Sequence, residues 1–297
     1  MYYNDYSSFT PIYSQLPPND YIFHNQDGVI IPFKKSWKSV MIRFSGGADS
    51  TLLAYLVCKI INLYNLDCSV SFTSYTRRWA SRPWASYVAK NVYENFTHYF
   101  PSMNINRYFG FVPPSIEDGE VQHNVPYKDV DRICRFDSGE RIIMREYDYY
   151  LMHTHKIDAS FWGINANPPF QISANSNATA DSIRDIHDRA IDFTDIFNHH
   201  LEYNGVIVAP LIYVSKEWVT RQYYYEKILE LYNITRSCGG DIRLHKNISS
   251  VIPSFRHYVE GMHVPVCNTC WWCHERKWGE EQLNKFLVSK NLLPVFF

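Results

Sequence analysis

The chain carries almost no net charge: 29 Lys and Arg stand against 30 Asp and Glu, for a formal charge of −1 and a pI near 6.9. A broad nucleic-acid-binding face needs a basic excess, so this balance argues against direct nucleic-acid binding and for a small-molecule partner. Long apolar runs are missing too. The longest, Leu52 to Leu63, is interrupted by Lys59 and is too short to span a bilayer, so no membrane partner is expected. The first residues, Met-Tyr-Tyr-Asn-Asp, hold no basic stretch followed by an apolar one. No signal peptide is legible there, and a cytoplasmic protein is expected. Internal repeats and low-complexity tracts are absent. Cysteine is scarce, at seven, an odd number, and four of the seven fall in the C-terminal segment. That distribution suits a metal in a reducing compartment better than a disulfide framework. Finally, no Gly-x-x-x-x-Gly-Lys-Ser/Thr run occurs, which excludes a Walker A loop.

What is present starts with Ser45-Gly46-Gly47-Ala48-Asp49-Ser50, directly after the apolar run Val40-Met41-Ile42-Arg43-Phe44. That order reads as strand, glycine-rich turn, helix. Two glycines let the backbone approach a phosphate where a Cβ would clash. Ser45 and Ser50 offer hydroxyls, and the N–H groups at the helix start face the same point with the positive dipole end behind them. The segment is an anion cradle.

The chain, 297 residues with 46% hydrophobic content, suffices for one large or two modest domains. Residues 1–38 are aromatic and Pro-rich and are read as an N-terminal arm, either extended or a short hairpin packed on the core. Expected strands lie at 39–44, 69–75, 104–109, 159–164 and 206–209. Expected helices lie at 50–64, 84–99, 139–155, 182–199 and 216–232. In the first helix Leu52, Leu53, Leu56, Ile60 and Leu63 recur at helical spacing and should face the sheet, with Cys58 as a buried filler. Residues 110–137 and 166–180 read as irregular loops. The alternation predicts an α/β domain over 39–233, built on a mostly parallel sheet with helices on both faces. Ligands in such sheets sit beyond the carboxyl ends of the strands, where the Ser45–Ser50 turn lies.

A second constellation lies in 234–297. Cys267, Cys270 and Cys273 stand at successive Cys-x-x-Cys spacings, and Cys238 lies upstream beside Gly239-Gly240. Four thiolates suit tetrahedral structural Zn²⁺. Iron–sulfur is the rival metal at this spacing, and His263 or His274 could replace one thiolate. With four protein ligands the metal is structural and pins a C-terminal lobe to the α/β body.

The glycine turn is similar to the pyrophosphate-binding loop of the N-type ATP pyrophosphatase (PP-loop) superfamily, whose members cleave ATP between the α and β phosphates and activate a substrate as its adenylate. Residues 39 to 283 further resemble the 7-cyano-7-deazaguanine synthase family, which makes the nitrile intermediate of queuosine biosynthesis. The resemblance is carried by six segments. They are Ser45 to Ser50; Phe72-Thr73-Ser74-Tyr75 with Arg77-Arg78; Arg141; and Trp162-Gly163-Ile164-Asn165. The last two are Ala209-Pro210-Leu211-Ile212 with Lys216, and Ser237-Cys238 with Cys267, Cys270, Cys273 and Arg276. The chain departs from that family after Asn165. The expected Asp and the Tyr-Pro-Asp-Cys-Arg signature, which helps hold the deazapurine, are replaced by Ala166-Asn167-Pro168-Pro169-Phe170-Gln171. The residue after Arg141 is Ile142 rather than Asn.

The resemblance implies a Rossmann-like, adenine nucleotide alpha hydrolase-like fold, with ATP, Mg²⁺ and Zn²⁺ as cofactors. It implies a small-molecule carboxylate and ammonia as substrates, and it leaves open a homodimer. Ser45, Gly46, Gly47 and Ser50 would bind pyrophosphate. Asp49 would either position Mg²⁺ or cap the helix. Lys216 would supply charge to the departing pyrophosphate. Arg141 would bind a phosphate or the carboxylate, and Tyr75, Gly163 and Asn165 would line the pocket. Sulfur transfer is the rival chemistry, through Cys134 between Arg132 and Arg135, with Cys68 as its one available partner.

Overall fold

A computed structural model describes residues 19–77, 85–112, 148–166, 197–200, 205–238, 266, 268 and 271–297; within these, the side chains of 75–77, 85–87, 109–112, 197–200, 205 and 271 are not described. The fold is mixed α/β, with a six-stranded sheet in which five strands run parallel.

The arm forms a hairpin. Strands β1 (Tyr21–Gln26) and β2 (Val29–Lys34) pair antiparallel around the two-residue turn Asp27-Gly28. Both turn residues take positive φ, 47° and 84°, as a type I′ turn requires. Ile31, Phe33 and Trp37 are buried, and the rings of Phe33 and Trp37 lie 6.1 and 5.9 Å from that of Phe161 in the main sheet. Of the two forms expected for the arm, the hairpin is the one found over 21–34.

Strand β3 (Ser39–Arg43) leads into helix α1 (Ala48–Leu63), then strand β4 (Ser69–Arg77), helix α2 (Ala85–Phe96), a turn of 3-10 helix at Thr97–Tyr99, and strand β5 (Ile105–Val112). Residues 148–154 are helical and precede strand β6 (Ala159–Trp162). Strands β7 (Phe197–His200) and β8 (Gly205–Val208) follow, then helices α3 (Lys216–Tyr225), α4 (Leu229–Ile234) and α5 (Trp271–Ser289). The spatial order is β5-β4-β3-β6-β8-β7. The interior of β3, Val40-Met41-Ile42, is fully buried, as a strand covered on both faces must be. Helix α1 buries Leu52, Leu53, Leu56, Val57 and Ile60; each such side chain contributes about 1.5–3 kcal/mol relative to exposure.

The chain leaves β3 toward β4 and β5 on one side, then crosses to place β6 and β8 on the other. The connections therefore diverge between β3 and β6. A crevice at such a switch point, outside the carboxyl ends, is where open α/β sheets bind ligands.

Four expectations need correction. Of the helix expected over 182–199, the described residues are strand: 197–200 pair antiparallel with β8 at the sheet edge. The helix expected over 216–232 is two helices, because Lys227 takes a φ of 58° and breaks the ladder. Leu63 does not face the sheet; it is 61% exposed, being the last helical residue before the chain reverses at Asn65, φ 49°. Helix α1 also starts at Ala48, two residues earlier than expected, so Asp49 and Ser50 belong to its first turn. Helix α5 lies in the segment expected as a metal lobe, and it packs along α3. Among the described residues, no helix is long and apolar enough to cross a membrane.

Candidate nucleotide site

The Ser45–Ser50 turn sits at the carboxyl end of β3. Gly46 has φ 74°, and a Cβ on it would lie 2.8 Å from the Ala89 nitrogen, so the turn can touch α2 only with glycine there. Gly47 is the N-cap of α1, in extended conformation, with no side chain capping the helix. Hydroxyls shape the turn. Ser50 Oγ donates to the Gly47 carbonyl at 3.1 Å and accepts from the Ser45 N–H at 3.2 Å, while Ser45 Oγ accepts from the Gly47 N–H at 3.3 Å. The Ala48 N–H points to Ser237 Oγ at 3.4 Å. These long, weak bonds at a helix start are ones an anion can replace.

Gly163 closes the other wall. It follows β6, whose residues pair with β3 in register from Val40↔Ala159 to Arg43↔Trp162. A Cβ on Gly163 would lie 2.7 Å from Ser50 Cα, so this glycine permits β6 to end against the first turn of α1. Two residues on, Asn165 is buried and its amide donates to Glu275 Oε1 at 3.5 Å.

Lys216 opens α3 and is buried, with 1% of its side chain exposed. Its Nζ lies 2.5 Å from both carboxylate oxygens of Asp49 and 3.8 Å from Glu275 Oε2. Asp49 therefore directs its carboxylate at Lys216; of the two sequence roles, helix capping is the one not seen. Gly279 makes room for this cluster: a Cβ there would lie 2.8 Å from Thr220 Oγ1 and 2.9 Å from Lys216 Cγ. Tyr223, two turns along α3 from Lys216, donates its hydroxyl to the Ala48 carbonyl at 2.7 Å. Burial, and then the nearby Asp49 charge, push its phenol well above the usual range, so it stays a donor.

The C-terminal segment is tied to the same place. The Arg276 guanidinium lies 4.0 Å over the Tyr232 ring and donates to the carbonyls of Thr235 at 2.7 Å and Tyr232 at 3.0 Å. That holds the strand-like stretch through Arg236, whose N–H donates to the Gly46 carbonyl at 2.9 Å. Ser237 and the buried Cys238 follow. Cys273 is on α5, two residues before Glu275.

Ser45, Gly46, Gly47, Asp49, Ser50, Gly163, Asn165 and Lys216 thus lie together at this end of β3 and β6. Tyr75 and Arg77 are in β4, with side chains outside the described set. Arg78, Cys134, Arg141, Cys267 and Cys270 lie outside the described residues altogether. No group of three or more metal-competent side chains occurs among the described residues; two of the four candidate thiols are not among them. Ser237, Tyr223 and Glu275 were missed as site residues. For Ser237 the Ser-Cys pair was a usable signal. Glu275 sits in His274-Glu275-Arg276-Lys277, which reads as a solvated helical face, so nothing local marks it as buried.

Cys68 precedes β4, at the amino end of the sheet. Burial, with Asp158 and Asp67 nearby, pushes its thiol up to about 12. It is far from thiolate chemistry and at the opposite end of the sheet from the Ser45–Ser50 turn.

No family model and no curated protein matches the chain in sequence. Among solved structures it is similar to the U34-tRNA thiolase NcsA of Methanococcus maripaludis, determined with its 4Fe-4S cluster, at 14% identity and a TM-score of 0.42 over 83% of this chain and 72% of that one. It is also similar to an NAD+ synthetase of Burkholderia pseudomallei, at 12% identity and a TM-score of 0.30 over 86% of this chain and 81% of that one.

Proposed function

We propose that the chain is an ATP-dependent adenylating ligase of the PP-loop type, acting on a 7-carboxy-7-deazaguanine-like carboxylate with ammonia. The observation that carries the reading is the Ser45–Ser50 cradle, closed by Gly163 and faced by the buried ammonium of Lys216. Backbone N–H groups, a helix dipole and one buried cation meet at a switch-point crevice, which is what a departing pyrophosphate needs.

In this reading the pyrophosphate of ATP lies on the turn and displaces the hydroxyl bonds of Ser45 and Ser237. A substrate carboxylate oxygen attacks the α-phosphorus, and the bond from that phosphorus to the bridging oxygen breaks. The electron pair leaves with pyrophosphate. Lys216 turns from Asp49 to the leaving oxygens and neutralises charge as it develops. Ammonia then attacks the acyl adenylate, AMP leaves with the carboxyl-derived oxygen, the nitrogen gives up a proton to solvent, and an amide remains. A second ATP adenylates the amide oxygen and releases pyrophosphate; loss of both nitrogen protons and departure of AMP with that oxygen then give the nitrile.

Mg²⁺ would be held by Asp49 once Lys216 has moved, and it supplies charge neutralisation on the phosphates. The thiol donor set of Cys238, Cys267, Cys270 and Cys273 fits a structural Zn²⁺, which would fasten α5 to the body. Sulfur transfer through Cys134 is the rival reading; Cys68, its expected partner, lies before β4 at the amino end of the sheet, with its thiol pushed up by burial.

The test is mass spectrometry of purified protein with ATP, Mg²⁺, ammonium and 7-carboxy-7-deazaguanine. The expected result is an amide or nitrile product that disappears in Lys216→Ala. Pyrophosphate release with no such product would redirect the substrate to another carboxylate. ATP binding without any pyrophosphate release would leave a nucleotide-binding protein.

A further inference from the structure

Glu275 has no role in any of the motifs above. It lies on α5, in the C-terminal segment, yet its side chain is fully buried against the nucleotide site. Its two oxygens face two site residues from different elements: Oε1 accepts from Asn165 beyond β6, and Oε2 lies 3.8 Å from Lys216 Nζ. A carboxylate withdrawn from water is costly unless it is paired, and here it shares one buried ammonium with Asp49. The two carboxylates differ in exposure. The side chain of Asp49 is 17% exposed; that of Glu275 is 0% exposed. Gly279, one turn further along α5, allows this approach, since a Cβ there would strike Lys216 and Thr220.

We propose that Glu275 is a positioning residue that acts through Lys216. When an anion enters the crevice, Lys216 must leave Asp49. Glu275 remains behind it, so the ammonium is paired in either position and stays aimed at the cradle. The C-terminal helix thereby completes the nucleotide site. The proposal rests on the pyrophosphate reading of the Ser45–Ser50 turn.

The sign of one substitution separates this role from a bystander's. A carboxylate that merely sits near an anion site repels the ligand, so its neutralisation tightens binding. A carboxylate that holds the binding lysine does the reverse. The probe is inorganic pyrophosphate with Mg²⁺, titrated calorimetrically into the full chain. Glu275→Gln, isosteric and able to keep the Asn165 bond, should weaken binding about tenfold despite removing a negative charge. The same change made on a Lys216→Ala background should add nothing, as expected of residues acting as one unit. Glu275→Asp, which keeps the charge and withdraws it, should weaken binding less than Gln; it also serves should Gln not fold, as judged by the melting midpoint.

Binding equal to or tighter than wild type in Glu275→Gln, or a full additional loss on the Lys216→Ala background, overturns the role of Glu275 and leaves the cradle standing. Absence of pyrophosphate binding by the wild-type chain overturns the reading of the cradle itself, and the proposal with it.

Discussion

The two ends of one sheet use charge in opposite ways. At the amino end, Lys38 pairs with Asp67 at 2.8 Å with both side chains largely in solvent, 68% and 94% exposed. Asp158 accepts the N–H groups of Lys38 and Ser39 at 2.7 and 3.0 Å and ties β6 to the start of β3. These groups secure strand ends and remain close to water. At the carboxyl end the charges are buried. Asp148 is fully buried and holds Arg43 at 2.7 Å, and the Arg43 guanidinium lies 3.6 Å over the Trp162 ring. Lys216 and Glu275 are buried beside Asp49, in the first turn of the helix that follows β3. Buried ion pairs contribute little net stability and are costly to break, so a fold that accumulates them at one end is arranged for something other than stability. The difference is what the proposed function uses, with its ligand at the carboxyl rim.

The comparison can be broken most severely at Lys216. Lys216→Ala should cut pyrophosphate release about 10²–10³-fold, the scale for removing a donor that stabilises developing charge. A steady-state assay of pyrophosphate release reads this, and a loss below threefold would place Lys216 outside the chemistry. Next comes Asp148→Ala, which removes the buried carboxylate that pairs with Arg43 and should destabilise the chain by about 3 kcal/mol, measured by urea unfolding. Gly163→Ala should cost about 1–3 kcal/mol, because its Cβ meets backbone of α1 that cannot yield. Unlike Asp148→Ala it should also weaken ATP binding, since the strained contact is with Asp49 and Ser50.

How far the site was legible follows from where its parts lie in the chain. The cradle was legible because strand, turn and helix are contiguous and the glycines mark a close approach. Lys216 was legible only through the resemblance, since a lysine at a helix start reads alone as solvated. Glu275 was not legible: its burial depends on α5 lying against α3, which Gly279 permits, and no local pattern encodes that packing. The hairpin had a stronger local signal than was used, Asp27-Gly28 between two apolar runs, and its turn is fastened to α3. Trp218 donates to the Asp27 carbonyl at 3.1 Å, and Gln222 donates to the Asp27 carboxylate at 2.9 Å. Strand β7 escaped because an edge strand of Phe197-Asn198-His199-His200 carries little alternation.

The smallest effects belong to the amino end. Asp67→Ala should leave the melting midpoint and pyrophosphate release unchanged within error, since the Lys38–Asp67 pair is open to solvent and screened. Cys68 tests the same end chemically. Its thiol is raised from 9.0 to about 12 in the fold, so burial of the protonated form contributes stability below the unfolded value, and that contribution is lost as pH rises from about 9 to about 12. At about pH 8, iodoacetamide should label Cys68 far more slowly in the folded chain than in urea, read by peptide mass mapping. Fast labelling of the folded chain would return Cys68 to consideration as a nucleophile.

The central claim is that the carboxyl rim binds ATP through the Ser45–Ser50 cradle and Lys216. Calorimetric titration of ATP with Mg²⁺ into the wild-type chain and into Lys216→Ala tests it most directly. The account predicts saturable binding to the wild type, weakened about tenfold or more in the variant. No binding to the wild type, or equal binding to both, would contradict it.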